Sequence, residues 1–160
     1  MNILNIDKDI ISKDEIKELL TKVVKPVFDE PILVMGEDYF SKAVIGFDDR
    51  LIIDKILKHT HDRYNINLKC LHAQLQTWVP GSYSKPHIHR SDGIESGDYN
   101  IIVYLNDDYE GGEFFLQDYN VTIKPVTGMS VIFNGRDTYH GVTKIEKSNR
   151  YGLIIWCKSI

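Results

Sequence analysis

The chain has 160 residues, 42% of them hydrophobic and 26% charged, with a formal net charge of −4. That length and apolar content suit one hydrophobic core, and the mixed charge excludes a disordered polyelectrolyte. The mildly acidic balance offers no general attraction for nucleic acid or anionic lipid, and no apolar run approaches the ~20 residues that span a bilayer, so neither partner is expected.

In chain order, "NILNI" reads as a short strand, and an amphipathic helix follows in "DKDIISKDEIKELLTKVVKPVFDE". Ser12 with Glu15 three residues on makes a capping box, and Ile16, Leu19, Leu20, Val23, Val24 and Val27 keep helical spacing, with Pro26 limiting the last turn. The opening "MNILNIDKDIISKDE" lacks a basic flank, apolar run and small-residue cleavage site, which predicts a cytoplasmic protein. A second helix is expected in "DDRLIIDKILKHTHDRY", begun by Asp48 or Asp49 and burying Leu51, Ile52, Ile56 and Leu57. Cys70 and Cys157 lie far apart within apolar strand patterns and read as buried reduced thiols.

After about Asn67 the pattern changes to short apolar or alternating runs divided by turn residues. Seven strands are expected: "NLKCLHAQLQTWV", closed by a Pro-Gly turn, then "YNIIVYLN", "GEFFLQ", "NVTIKP", "GMSVIFN", "YHGVTKIE" and "RYGLIIWCK". The chain is therefore read as a single mainly β domain over 1–160: an N-terminal strand and supporting helices over 1–67, packed on one sheet of a jelly roll over 68–160. Strand parity puts Arg150, Gly152, Ile154 and Trp156 on one face, with Tyr151, Leu153, Ile155 and Cys157 on the other. Likewise His72, Gln74, Gln76 and Trp78 oppose Leu71, Ala73, Leu75 and Val79. The mixed faces would line a barrel that holds a ligand.

In "SKPHIHRSDGIES", His87 and His89 stand two apart, and such a pair at a strand end points one way and can chelate one metal ion. His59 and His61 lie at a helix end, where i and i+2 diverge, and take no role; His72 reads as a hydrogen-bonded histidine in or beside the core. His87 is distinguished by its company: His140 about fifty residues later, Arg150 ten beyond it, and Tyr104 on another strand. Three ligands on one face of an Fe(II) octahedron leave positions open, and an Arg fork with a Tyr hydroxyl suits a carboxylate.

"WVPGSYSKPHIH", "IIVYLNDDYEGGEFF", "KPVTGMSVIFN", "YHGV" and "RYGLIIW" resemble, in order and spacing, the motifs of Fe(II)- and 2-oxoglutarate-dependent dioxygenases, specifically the prolyl 4-hydroxylase-like branch. The resemblance covers roughly Leu68 to Cys157 and implies a double-stranded β-helix. It also implies Fe(II), 2-oxoglutarate and O2 as cofactor and co-substrates, with oxidation of an unactivated C–H bond and release of succinate and CO2. By it, His87 and His140 match the histidine ligands, Arg150 the base that pairs with the remote carboxylate of 2-oxoglutarate, and Tyr104 a hydroxyl on the same group. Trp156 matches an aromatic that closes the pocket, and Gly111 and Gly112 a glycine pair at a tight strand start. The substrate implied is a prolyl or other peptide side chain, or a small molecule, with Gln74, Gln76 and Trp78 as pocket contacts.

One position departs from the pattern, for His89 stands where the family carries Asp or Glu. His89 could ligate and give a three-histidine site, Asp92 could reach in from a rearranged turn, or no protein group could fill the position. An imidazole in place of a carboxylate leaves the site one charge more positive. The runner-up is a cupin, whose first motif "GSYSKPHIHRSDGIE" resembles and which would take His87, His89, Glu95 and His140 as ligands. That protein, a thiol dioxygenase, an isomerase or a binding module, would need no 2-oxoglutarate. A metal-free jelly-roll interaction domain is the third reading.

Overall fold

The structure is a computed structural model and describes residues 4–8, 10–23, 39–89 and 97–160. It is mainly β. The chain runs β1 (Leu4–Asp7), α1 (Lys13–Lys22), β2 (Tyr39–Gly46), α2 (Arg50–Tyr64), β3 (Leu68–His87), β4 (Tyr99–Tyr104), β5 (Glu110–Gly111), β6 (Phe114–Leu116), β7 (Val121–Ile123), β8 (Ser130–Asn134), β9 (His140–Val142), β10 (Ile145–Lys147) and β11 (Arg150–Ser159).

The larger sheet follows the order β1-β8-β4-β11-β3-β9-β6-β7, with β2 also on β3, and β10 pairs β5 separately. Strand β3 belongs to both halves of this curled sheet: Leu68 to Trp78 pair with β11, whereas Ser84 and His87 pair with β9. What lets it turn from one half to the other is the stretch expected to end it. Gly81 has φ 91°, and opposite it Lys42 pairs with Trp78 but Phe40 with Tyr83, so residues 79–82 bulge out of register with β2. The expected Pro80-Gly81 turn is thus a bend inside a 20-residue strand.

Each other expected strand has a counterpart, with "YHGVTKIE" divided into β9 and β10 and the two-residue β5 preceding "GEFFLQ". Strand β2 was not expected at all. Its Val44 and Ile45 are both exposed on an outer strand, so its described side chains offer no alternation of buried and exposed apolar residues.

Parity places the core as expected. Leu153, Ile155 and Cys157 of β11 share one hydrophobic cluster with Ile16 and Leu19 of α1 and Ile53 and Ile56 of α2. The opposite face sends Ile154 and Trp156 inward to Ile102, Phe114, Val131 and Phe133. Helix α1 carries the Ser12–Glu15 capping box, with Ser12 N donating to Glu15 Oε2 at 2.6 Å and Glu15 N to Ser12 Oγ at 3.2 Å. Val24, Pro26 and Val27 lie outside the described residues. Asp49 caps α2 by accepting from the amides of Leu51 and Ile52. Leu51, expected on the buried side, is 86% exposed, because the face that meets the core is Ile53, Ile56 and Thr60.

His59 Nε2 lies 2.7 Å from the buried Asp7, which also pairs with Arg63, so this histidine ties α2 to β1. Cys70 and Cys157 are 87 positions apart yet stand directly opposite each other on β3 and β11, both free thiols. Burial pushes the Cys157 thiol up.

Candidate active site

His87 ends β3 and His140 begins β9, and the two are register partners on adjacent strands. His89 lies just past β3, its backbone N–H donating to Gly135 O at 2.8 Å, which folds it back over the sheet. One ligand atom from each of the three lies within 4.8 Å of the others, and the Nε2 atoms of His87 and His89 are 3.2 Å apart.

The opposite nitrogen of every ring faces an oxygen. His87 Nδ1 is 2.9 Å from Lys85 O and 3.1 Å from Ser84 Oγ, His140 Nδ1 is 2.8 Å from Thr138 O, and His89 Nδ1 is 3.0 Å from Asn100 Oδ1. A carbonyl only accepts, so these contacts favour the Nδ1–H tautomer, in which Nε2 is the ligating nitrogen. In that tautomer the close approach of the His87 and His89 Nε2 atoms suits a shared cation. Two imidazole nitrogens bonded to one metal ion at ~2.1 Å sit ~3 Å apart, close to the spacing found. The residues present therefore fit a metal ion. Burial pulls the His140 pKa down to about 3, reinforced by His89 and His87, so its ring is neutral at physiological pH, as ligation requires.

Beyond the histidines lies a buried cation. Arg150 is 4% exposed, its guanidinium 4.9 Å from the ring centroid of Tyr104 and 5.3 Å from that of Trp78. Among the described residues, Arg150 Nη1 and the hydroxyls of Tyr104 and Tyr109 are buried with no partner in hydrogen-bonding geometry, the guanidinium lying close enough to both phenols to lower their pKa values against burial. Burial raises both phenol pKa values, that of Tyr109 to about 12, so both stay protonated donors. A buried cation flanked by unused donors is a site for an anion, and a carboxylate would satisfy all three groups. Gly112, with φ 69°, leaves room beside this cluster: a Cβ there would overlap Ile145 Cδ1 and press within 3.1 Å of the Tyr109 ring and 3.4 Å of Arg150 Cδ.

A cavity of about 80 Å³, several waters in size, joins the three histidines to Arg150, with Tyr104 and Tyr109 beside Arg150 and off the cavity wall. His87, His89, His140, Arg150, Trp156, Gln76 and Trp78 all border it. Gln74 stands one step behind: Trp78 Nε1 donates to Gln76 Oε1 at 3.1 Å, and Gln76 Nε2 to Gln74 Oε1 at 3.2 Å. His72 departs from expectation, being exposed and stacked at 4.3 Å on Trp156, its register partner on β11. Asp92 and Glu95 lie outside the described residues.

Two residues escaped the sequence reading. Tyr109 sits in a loop with no strand parity to mark it. Asn100 was marked, as the lone polar residue in "YNIIVY" on the same face as Ile102 and Tyr104.

The family model of the 2OG-Fe(II) oxygenase superfamily matches residues 73–158. Human prolyl 3-hydroxylase 2 is 35% identical over 65 residues, 37% of this chain, and chicken prolyl 3-hydroxylase 1 is 34% identical over the same length. The matched segment spans 9% of those relatives. Among solved structures, the collagen prolyl hydroxylase of Paramecium Bursaria Chlorella virus-1 in its 2OG complex superposes with a TM-score of 0.78 at 19% identity. That match covers 99% of this chain and 97% of the other. A Pseudomonas putida prolyl-4-hydroxylase gives 0.72 at 16% identity over 99% and 93%. These likenesses establish a shared fold, and the sequence match, which extends from the inner-face strand β3 through His87 and His140 to the end of β11, establishes descent. The chain belongs to the 2OG-Fe(II) oxygenase superfamily.

Proposed function

We propose that the protein is an Fe(II)- and 2-oxoglutarate-dependent hydroxylase acting on a peptide, with a prolyl residue as the first candidate for the oxidised side chain. The curled sheet is read as a double-stranded β-helix over 68–160, with α1 and α2 packed on one sheet of a single domain working in the cytoplasm. His87, His89 and His140 would hold the iron, Arg150 with Tyr104 and Tyr109 would receive the remote carboxylate of 2-oxoglutarate, and Trp156 would close the pocket. The carrying observation is the pairing of three converged imidazole nitrogens with a buried guanidinium whose Nη1 has no partner among the described residues. The family match favours this over the cupin, in which Arg150, Tyr104 and Trp156 would be plain lining.

When bound, Fe(II) with 2-oxoglutarate and O2 supplies the oxidising power for a C–H bond, releasing succinate and CO2. The chain's own part is placement. The oxygens on each Nδ1 fix the imidazole rings, the Arg150 site sets the depth at which a dicarboxylate lies, and Phe114, Phe133, Ile102 and Ile154 keep water from the cavity walls. Gln76, held by Trp78 and Gln74, offers polar contact on the inner face of β3. A peptide substrate agrees with the Trichoplax adhaerens prolyl hydroxylase solved with a hypoxia inducible factor peptide fragment, which superposes with a TM-score of 0.66.

Anaerobic addition of Fe(II) and then 2-oxoglutarate should produce the visible metal-to-ligand charge-transfer band of the chelate. Metal binding without a band overturns the 2-oxoglutarate reading. Proline-containing peptides that gain one oxygen in step with succinate would support a prolyl substrate, and succinate formation unaffected by such peptides would exclude it.

A further inference from the structure

Where relatives carry a carboxylate ligand, this chain has His89, and a neutral ring needs a partner to fix which nitrogen it presents. That partner is Asn100. It lies on β4, opposite Trp156 on β11 and Phe133 on β8, is 1% exposed, and borders the same cavity as the three histidines. Its Oδ1 is 3.0 Å from His89 Nδ1, and its Nδ2 is buried without a partner among the described residues. The opposite amide orientation would protonate His89 at Nε2 and aim that proton at His87 Nε2, 3.2 Å away, which is incompatible with both rings ligating one ion.

Gly135 makes room for this contact. A Cβ there would overlap Asn100 Oδ1 and come within 3.0 Å of His89 Nδ1, while Gly135 O accepts the His89 backbone N–H at 2.8 Å. Its φ is not positive, so what calls for glycine is the space occupied by the amide and not the backbone.

We propose that Asn100 is a positioning residue with two functions: its carbonyl holds His89 as the third ligand, and its N–H2 donates to an anionic oxygen of the metal-bound 2-oxoglutarate. Charge supports the second half. With His89 in place of a carboxylate ligand the centre is one unit more positive, and a buried donor at the cavity wall suits the co-substrate anion. The proposal rests on the reading that the histidines hold Fe(II).

The test compares wild type, His89→Ala, Asn100→Ala, Asn100→Asp and Gly135→Ala for anaerobic Fe(II) affinity by calorimetry, and then for 2-oxoglutarate affinity by the charge-transfer band. Asn100→Ala and Gly135→Ala should each weaken Fe(II) binding about 10- to 100-fold, as loss of a ligand's orienting partner does. Asn100→Asp still accepts from His89 but has exchanged its donor for a negative charge. It should therefore keep Fe(II) affinity, weaken 2-oxoglutarate about tenfold or more, and shift the band. If His89→Ala leaves Fe(II) affinity unchanged, the ligand reading falls. If His89→Ala weakens it while Asn100→Ala and Gly135→Ala do not, the ligand reading stands and the role of Asn100 falls. Undiminished 2-oxoglutarate affinity in Asn100→Asp overturns the donor half. Gly135→Ala carries the test should Asn100→Ala not fold.

Discussion

Tyr104→Phe and Tyr109→Phe each remove one oxygen and leave the packing intact, which separates binding from folding at the Arg150 site. Both hydroxyls are buried and, among the described residues, have no partner in hydrogen-bonding geometry, so removing one should leave the co-substrate-free protein about as stable as before, to within about 1 kcal/mol. The same change should weaken 2-oxoglutarate about tenfold, the loss of one hydrogen bond to a charged acceptor. Urea denaturation and charge-transfer titration measure the two; a matching loss of stability would show that the hydroxyls serve the fold instead. Asp98 allows a pH test. Hydrogen bonds from the Ser159 hydroxyl and amide, aided by Arg136 and opposed by partial burial, hold its carboxyl below the usual range. A lowered folded pKa means that its stabilisation is present above the unfolded pKa of ~3.9 and disappears as pH falls through the lower folded value. Asp98→Asn should therefore cost about 1 kcal/mol at pH 7, a difference that closes in denaturation curves as the pH falls below the unfolded pKa of ~3.9.

At the scale of elements, α2 shows where periodicity is a weak guide. Leu51, Ile52, Ile56 and Leu57 keep helical spacing, but so does the set centred on Ile53 and Ile56, and the capping Asp49 starts the helix without choosing between them. Docking against β3 and α1 decides. Leu51→Lys should change stability by less than about 0.5 kcal/mol, while Ile56→Ala, fully buried, should cost about 2–5 kcal/mol, as thermal or urea unfolding will show. Strand β3 teaches the same lesson in reverse. Pro-Gly is a sound turn signal, yet here Gly81 serves a bulge, because the strand must leave β11 for β9 and bring Ser84 and His87 alongside Val142 and His140.

For the whole molecule, the three histidines come from the end of β3, the residues just past it and the start of β9 about fifty positions on, and an ion bound to all three would cross-link segments that the unfolded chain keeps apart. Binding to the native state alone stabilises it by about 2.7 kcal/mol at a hundredfold excess over Kd. The melting temperature should rise with added Co(II) or, anaerobically, Fe(II), and return on chelation. His140→Ala should melt at one temperature with or without metal.

The order and spacing of His87, His140 and Arg150, the strand parity that turns Arg150 and Trp156 inward, and the two helix caps were all legible in the sequence. Each depends on short-range chemistry or on alternation, which a linear chain displays directly. The third ligand was less legible: His89 led Asp92 and an empty position only by its spacing from His87, because the contacts that orient its ring come from Asn100 and Gly135, on β4 and the loop after β8. Tyr109 and the opposed Cys70 and Cys157 were hidden for the same reason. Which nitrogen a histidine presents, and which donors lie around a buried guanidinium, follow from contacts between distant segments, and those exist only once the sheet has curled.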